Sequence, residues 1–121
     1  MCRLLAYAST EPATLATIVG PTLSDFVELS KEHKHGWGVT TCASIGGVQE
    51  RERDVAPAVE SSLFAEVAST KPSDGALVHL RLASKGLTVD LSNNHPFIHG
   101  DISFMHNGTI RTGSSIEHLI D

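Results

Sequence analysis

Apolar and polar positions alternate in short stretches along the chain, and their spacing predicts both strands and helices. Residues 3–8, RLLAYA, are an apolar run typical of a strand, and residues 9–12, STEP, are typical of a turn. Ser24 is a suitable N-cap for a short amphipathic helix over residues 25–33. The chain is therefore expected to begin with a strand, a turn and a helix.

The central part of the chain predicts a hairpin, a helix and a further strand. Residues 36–45 are rich in β-branched side chains and lead to a Gly-Gly pair at 46–47, a turn signal, and residues 48–54 alternate as a partner strand does. A proline-initiated helix is expected over residues 57–70. Residues 75–83, GALVHLRLA, form the clearest strand of the sequence.

The strand at 75–83 has two different faces. One face carries Leu77, His79, Arg81 and Ala83, and the other carries Ala76, Val78, Leu80 and Leu82. Polar groups opposite an apolar face indicate a sheet that is open to a cleft on one side. A strand at 101–110 and the start of a helix at 114–121 complete a β-α-β-β-α-β-β-α order, which predicts an α+β fold of layered or sandwiched sheets and helices.

Length and composition indicate one soluble globular domain. The chain has 121 residues, of which 40% are hydrophobic and 19% are charged, an ordinary globular composition. Its formal net charge is −5 and its basic residues are scattered, so nucleic-acid binding is not expected. No apolar run is long enough to span a bilayer, so no association with a membrane is expected either.

The cysteine content bears on the cellular compartment. Cys2 and Cys42 do not form the dense, even pattern of a secreted disulfide framework. The N-terminal segment also lacks the core and cleavage pattern of a signal peptide. We therefore expect a cytoplasmic protein in a reducing compartment.

Cys2 directly follows the initiator methionine and is a candidate nucleophile. Once Met1 is removed, Cys2 carries both a thiol and a free α-amine, a group that titrates close to neutral pH. A thiol and a base on one residue are the parts of an N-terminal nucleophile. The alternative is a buried cysteine at the start of a strand, and this residue alone favours that alternative.

Arg81 and the Asn107-Gly108 pair are two further candidates. A guanidinium in an apolar strand needs an anionic partner, which is either a substrate carboxylate or a structural Asp or Glu. Asn107 and Gly108 can direct a side-chain amide and a backbone N–H at one point, as an oxyanion hole requires. The alternative for this pair is a simple β-turn, where Asn-Gly is much more frequent.

Histidines are numerous, with seven in the chain. Those in its later part are His79, His95, His99, His106 and His118. No H-x-x-x-H pair lies on an expected helix, and a proline separates His95 from His99. We therefore expect no metal and no other cofactor, and we interpret these residues as hydrogen-bonded structural histidines. A metal-dependent hydrolase that uses these histidines is a third alternative for the function.

Five segments, taken in order, resemble the class II glutamine amidotransferases, which have the N-terminal-nucleophile hydrolase fold. They are MCRLLAY at the start, HGWGVT at 35–40, VHLRLASKG at 78–86, NNHPF at 93–97 and FMHNGTI at 104–110. The HGWG and NNHPF forms are most similar to the small stand-alone subgroup, which includes the γ-glutamyl amidohydrolase of ergothioneine synthesis. The resemblance implies that residues 1–121 are the N-terminal part of a type 2 glutamine amidotransferase domain.

This resemblance implies a fold and a reaction. The fold would be a four-layer αββα sandwich, incomplete in this chain. Cys2 would attack the side-chain amide of glutamine, or of a γ-glutamyl compound, and form a γ-glutamyl thioester, with its own α-amine as the base. Asn107 and Gly108 would stabilise the oxyanion.

The resemblance also implies the residues that bind the substrate. Arg81 would bind the α-carboxylate, and Ala83 and Ser84 would line the same pocket. Trp37 would lie near the nucleophile between two glycines, and His95 would support a loop.

The chain departs from the family pattern at two points. The family binds the substrate ammonium with an aspartate in a D-S-E-like motif beyond the Asn-Gly pair, and the sequence ends at Asp121 before such a motif. Met1, if retained, would block the amine of Cys2. The alternative function is therefore an inactive binding or interaction module of the same fold. Exposed sheet edges would then favour self-association or a synthase partner.

Overall fold

A four-stranded antiparallel sheet is the centre of the fold. In the computed structural model, which describes residues 1–43 and 47–109, the strands are β1 (Arg3–Thr14), β2 (Trp37–Cys42), β3 (Gln49–Asp54) and β4 (Pro72–Leu80). Their order across the sheet is β1-β4-β2-β3, so β4 is an inner strand bonded to both β1 and β2. The end of β4 is therefore bordered by the start of β1 on one side and the start of β2 on the other.

Helices follow β1 and precede β4. They are α1 (Leu15–Val19), α2 (Thr22–Glu28) and α3 (Ser62–Thr70), with single 3-10 turns at Leu29–Lys31 and Ala58–Glu60. The start of α3 is fixed by Ser61, whose hydroxyl accepts the Phe64 N–H at 3.2 Å. The helix ends at Thr70, as the sequence predicts, whereas β4 begins at Pro72, three residues before the predicted start of that strand.

The hydrophobic core lies between one face of the sheet and these helices. Trp37 is fully buried, and its ring meets the ring of Phe64 edge-on at 5.1 Å between centroids. The other buried members are Leu15, Val39, Ala58, Val67, Ala68, Val78 and Leu80. The helical layer is thus held to the sheet through alternate residues of β2 and β4.

The opposite face of the sheet is covered by the chain around His95. This segment leads into a hairpin of β5 (Phe97–His99) and β6 (Ile102–Phe104). The His95 ring lies against the ring of His79 on β4, at 4.4 Å between centroids. The two faces of the sheet therefore meet different structures, and the cleft expected from the two-faced strand lies on this second side.

Several local predictions at the start of the chain were wrong. Residues 9–12 lie in β1 and not in a turn, although the register with β4 is irregular between Ala8 and Ala13, where β1 carries extra residues. Ser24 lies inside α2 and donates its hydroxyl to the Pro21 carbonyl at 2.8 Å, so it does not cap the helix. Helix α1 was not predicted.

The central predictions are confirmed in outline with shifted ends. The β2–β3 hairpin pairs as expected, and residue 46 of its turn lies outside the described residues. The helix at 57–70 is regular only in α3, because a 3-10 turn and Ser61 precede it. The strand at 75–83 ends at Leu80, which leaves the last three residues of that prediction beyond the sheet.

The fold class is α+β, as predicted. Within 101–109 the expected strand is limited to β6, and residue 110 and the helix expected at 114–121 lie outside the described residues. The four-layer αββα arrangement stays a prediction. None of the helices in the described ranges is long and apolar enough to cross a membrane.

Candidate active site

A cavity of about 220 Å³ lies where the chain leaves the end of β4. It is formed by the start of β1, the segment after β4, the chain around His95 and the segment after β6. The described residues that line it are Cys2, His79, Arg81, Leu82, Ala83, Ser84, Leu87, Asn93, His95, His106, Gly108 and Thr109. Chemistry-bearing side chains from distant parts of the sequence therefore meet here.

Cys2 is half-buried and its thiol lies beside the backbone of Leu82. The Leu82 N–H donates to Sγ at 3.4 Å, and the Leu82 carbonyl accepts from the thiol at 3.7 Å. Cys2 precedes the first residue of β1, so its side chain faces the cavity and is not part of the core between sheet and helices. The thiol is held in one position at the edge of a cavity.

Asn107 makes reciprocal hydrogen bonds with the backbone of Cys2. The Cys2 N–H donates to Oδ1 at 2.9 Å, and Nδ2 donates to the Cys2 carbonyl at 3.0 Å. Gly108, the next residue, lines the cavity. Asn107 is therefore adjacent to the nucleophile candidate, and one of the two Nδ2 hydrogens is already engaged by Cys2.

Arg81 is buried, with 4% of its surface exposed. Its Nη2 donates to the Thr88 carbonyl at 3.0 Å, whereas Nη1 has no hydrogen-bond partner among the described residues. None of the ion pairs found in residues 1–43 and 47–109 includes Arg81. A buried cation with an open donor in a cavity is suited to an anionic ligand.

The segment that carries Arg81 is held by His35 and Gly36. Arg81 donates its N–H to the Gly36 carbonyl at 2.8 Å and accepts the His35 N–H at 3.1 Å. The Ala83 N–H donates to His35 Nδ1 at 2.9 Å. These bonds continue the pairing of β2 and β4 past the strand ends. The N–H and carbonyl of Leu82 point to the opposite edge of the strand from those of Arg81, and there they contact the Cys2 thiol.

Three histidines form one wall of the cavity. His79 has 1% of its surface exposed, and His95 lies between it and His106, whose ring is 4.7 Å from that of His95. The His106 N–H donates to His95 Nδ1 at 3.3 Å. Burial, together with the charge that His95 would carry when protonated, lowers the pKa of His79 to about 4, and burial also lowers the pKa of His95. His79 and His95 are thus neutral at neutral pH.

The described residues contain no group of three or more His, Cys, Asp or Glu side chains arranged to hold a metal ion. The His95 ring is tilted by 48° to that of His79 and by 37° to that of His106.

The remaining predicted site residues divide into two groups. Ala83 and Ser84 line the cavity next to Arg81, and Ser84 Oγ lies 3.5 Å from Thr109 Oγ1. Trp37 is not among the residues that line the cavity, because its side chain points to the helical face of the sheet and is fully buried in the core.

The glycines on either side of Trp37 allow another segment to approach closely. A Cβ at Gly38 would overlap the carbonyl of His95, and a Cβ at Gly36, where φ is +109°, would overlap Nδ2 of Asn94. Asn94 is fully buried and donates to the Asp54 carbonyl at 2.8 Å. The HGWG segment therefore lets the chain at 94–96 lie directly on β2, which holds His95 at the cavity.

Residues 1–118 match the glutamine amidotransferases of class II. The chain belongs to this family. It is also similar to the gamma-glutamyl-hercynylcysteine sulfoxide hydrolase of Mycobacterium tuberculosis (strain CDC 1551 / Oshkosh), with 28% identity over 118 residues. The matched region is 91% of this chain and 50% of that protein, so the chain spans half the length of this curated relative.

Sequence reasoning missed His35 and Leu82 as structural parts of the site. His35 stands in the HGWG segment already singled out, but the residue that its ring would contact depends on the pairing of β2 with β4. His79 was assigned to the same strand face as Arg81 and interpreted as structural. The burial of its ring, with 1% of the surface exposed, is visible only in the folded chain.

Proposed function

We propose that this protein cleaves the side-chain amide of glutamine or of a γ-glutamyl compound, with Cys2 as the nucleophile. The observation that carries the proposal is a shared cavity, lined both by Cys2 and by the buried Arg81, whose Nη1 has no hydrogen-bond partner in the part of the chain that the structure describes. Such a pair suits a substrate with a carboxylate at one end and an electrophilic carbonyl at the other. Membership of the class II glutamine amidotransferases supports the same chemistry.

The base in this mechanism is the α-amine of Cys2, so Met1 has to be removed first. Met1 has 84% of its surface exposed, which suits access by an aminopeptidase. The amine that remains can keep the 2.9 Å hydrogen bond to Asn107 Oδ1 while its lone pair accepts the thiol proton. Asn107 would in this way orient the base.

Stabilisation of the tetrahedral oxyanion falls to two donors. The second Nδ2 hydrogen of Asn107 and the backbone N–H of Gly108 are the groups proposed for this role. The first Nδ2 hydrogen stays on the Cys2 carbonyl at 3.0 Å and fixes the plane of the amide. The oxyanion donors and the nucleophile would therefore be held by the same contact.

The proposed steps conserve atoms and protons. The Cys2 Sγ forms a bond to the γ-carbonyl carbon, and the C–N bond then breaks. The leaving nitrogen takes the proton from the α-amine and departs as ammonia or as an amine. Water next attacks the thioester, which releases the γ-carboxylate and returns the thiol to Cys2.

Covalent labelling by a glutamine-like diazo-ketone, 6-diazo-5-oxo-L-norleucine, tests the proposal. Intact mass first establishes that Met1 is absent. The wild-type protein should then gain one label at Cys2 with loss of dinitrogen, and should release glutamate from glutamine or from a γ-glutamyl amide. Cys2→Ala should lose both the label and the release of glutamate. Cys42→Ala, which changes a cysteine outside the cavity, should keep both.

A folded, Met-free protein that neither takes the label nor releases glutamate contradicts the proposal. Saturable binding of glutamine by such a protein would support the alternative, an inactive binding module of the same fold. That alternative is favoured by Met1 if the methionine is retained, because the Cys2 nitrogen is then an amide and cannot accept the proton.

A further inference from the structure

His79 is a buried polar side chain that the proposed mechanism does not use. It lies on β4 opposite Leu4 of β1 and Gly38 of β2, on the face that meets the chain around His95. Only 1% of its surface is exposed, and neither ring nitrogen makes a hydrogen bond of good geometry within the described residues, although the nearby backbone of His106 partly offsets the lowering of its pKa. A buried polar group without a good hydrogen bond destabilises the folded protein. A hydrogen bond to a bound ligand would explain why a histidine occupies this position.

The environment of His79 determines what it can offer to a ligand. Its ring lies against His95, and His95 in turn is oriented by the N–H of His106. Burial, and after it the charge that His95 would carry when protonated, lowers the pKa of His79 to about 4, so the ring is neutral. A neutral imidazole has one N–H donor and one acceptor nitrogen. His79 can therefore donate one hydrogen bond into the cavity that it lines.

Arg81, two residues further along, lines the same cavity, but not all of its guanidinium donors are free to bind a ligand. Its Nη2 already donates to the Thr88 carbonyl, and Nη1 is the nitrogen without a partner in the described part of the chain. A carboxylate has two oxygens that accept hydrogen bonds and is bound best by two donors. Recognition by Arg81 would gain from a second donor nearby.

We propose that His79 is a substrate-binding residue, and that its ring N–H donates to the same substrate carboxylate that Arg81 pairs with. The inference deepens the proposed function and rests on it. The substrate class that follows is an α-amino acid with a free α-carboxylate, such as glutamine or a γ-glutamyl compound whose glutamyl α-carboxylate is unmodified.

The test measures how tightly a diazo-ketone binds before it reacts with Cys2. The rate of inactivation is followed against the concentration of 6-diazo-5-oxo-L-norleucine, and against that of the same diazo-ketone without its α-carboxylate. In His79→Phe the half-saturating concentration of the first reagent should rise about 10- to 100-fold, as expected for a lost hydrogen bond to a charged group. For the second reagent, the half-saturating concentration should be nearly the same in wild type and in His79→Phe.

Two further variants separate binding from folding. His79→Gln, which keeps an N–H donor, should retain most of the affinity that His79→Phe loses. His99→Phe makes the same change on the exposed hairpin and should behave as wild type. The melting temperature of His79→Phe should be equal to or above that of wild type, because the buried unpartnered nitrogens are removed. If His79 served the structure alone, His79→Phe should instead melt at a lower temperature than wild type.

The outcomes distinguish the two proposals. If wild type is labelled at Cys2 and His79→Phe has an unchanged half-saturating concentration, His79 does not bind the carboxylate and the proposed function stands. An equal loss with both reagents also overturns the inference, since the carboxylate is then not what His79 recognises. If wild type is not labelled by either reagent, the proposed function fails and the inference fails with it.

Discussion

Asn107 is the residue whose contacts connect most directly to the proposed chemistry. Its side-chain oxygen accepts from the nitrogen of Cys2, and its side-chain nitrogen donates to the carbonyl of the same residue. The first bond orients the future amine, and the second fixes the amide that would face the oxyanion. Turnover should therefore depend on the donor nitrogen even in a variant that keeps the acceptor oxygen.

Asn107→Asp and Asn107→Ala test this division. The aspartate keeps an acceptor for the Cys2 nitrogen but replaces the donor by an anionic oxygen, which would repel a developing oxyanion. We expect glutamate release to fall by about 100-fold or more in both variants, with the isosteric aspartate no better than alanine. Turnover is measured on Met-free protein whose circular dichroism matches wild type. Wild-type turnover in Asn107→Asp would show that the donor is not needed.

For some of the predicted site residues, a short sequence motif is enough to indicate a place at the site, whereas for others the position depends on how the strands pair. Cys2, Arg81 and Gly108 stand in short segments with distinctive chemistry, and the structure brings them to one cavity, although their roles stay predictions. Trp37 stands in an equally distinctive segment but lies in the core. Which face of β2 a side chain occupies depends on strand pairing, and the short motif alone does not determine it.

At the scale of elements, the contact between β2 and the chain at 94–96 positions the histidine wall. Gly38 allows this contact because the space beyond its Cα is filled by the backbone of His95. The segment after β6 also depends on it, since His106 donates to His95. The close contact at Gly38 thus positions both His95 and His106, which line the cavity.

Gly38→Ala should displace this segment. The added Cβ meets backbone and not a flexible side-chain end, so the clash cannot be relieved by a rotamer change. We expect a loss of about 2–3 kcal/mol in the free energy of unfolding, together with slower labelling of Cys2 by the diazo-ketone. Urea denaturation measures the first effect.

Gly75→Ala is the matched control on the neighbouring strand β4. The nearest atom to its added Cβ would be the Tyr7 carbonyl oxygen at 3.7 Å, an ordinary contact. This variant should change stability by less than about 1 kcal/mol. If the two variants were equally stable, the close approach at Gly38 would not be a constraint on the fold.

The elements that the sequence predicts best are those whose pattern and pairing are both local in the chain. The β2–β3 hairpin followed from β-branched residues and a glycine turn signal, which act locally. The extension of β1 to Thr14 did not, because polar residues and a proline at 9–12 read as a turn while the sheet edge accommodates them as an irregularity. Tertiary pairing overrides local propensity at such positions.

For the molecule as a whole, the buried histidines connect acidity to stability. Burial lowers the pKa of His79 to about 4 and also lowers that of His95, whereas an unfolded histidine titrates near 6.5. Between those values the unfolded chain binds a proton that the folded chain does not. The free energy of unfolding should therefore be highest above pH 6.5 and should fall as the pH decreases toward 4.

A comparison of wild type with His79→Phe isolates this contribution. The groups that face His79 are His95, His106 and Arg81, and none of them supplies a negative charge to favour its protonation. Between pH 7 and pH 4.5 the variant should lose about 2 kcal/mol less than wild type, measured by urea denaturation at each pH. Parallel stability curves for the two proteins would exclude His79 as a source of acid sensitivity.

The family and the α+β class were correctly predicted for the whole chain, because five short segments in a fixed order carry that information. Other whole-molecule predictions stay predictions: the cytoplasmic location, the four-layer sandwich, the assignment of residues 1–121 as the N-terminal part of a domain, and association through exposed surfaces. The β5–β6 hairpin does expose Ile102 and Phe104, at 68% and 56%. Composition and pattern do not identify what such side chains meet.

The two hydrogen bonds between Cys2 and Asn107 join residues 105 positions apart. Removal of Met1, which the proposed mechanism requires, needs only the first few residues of a growing chain. Orientation of Cys2 has to wait until the ribosome has delivered Asn107 and the sheet has closed. Cleavage and activation are therefore separated in time, and a nascent or truncated chain carries an N-terminal cysteine whose thiol and amine are not yet organised for attack.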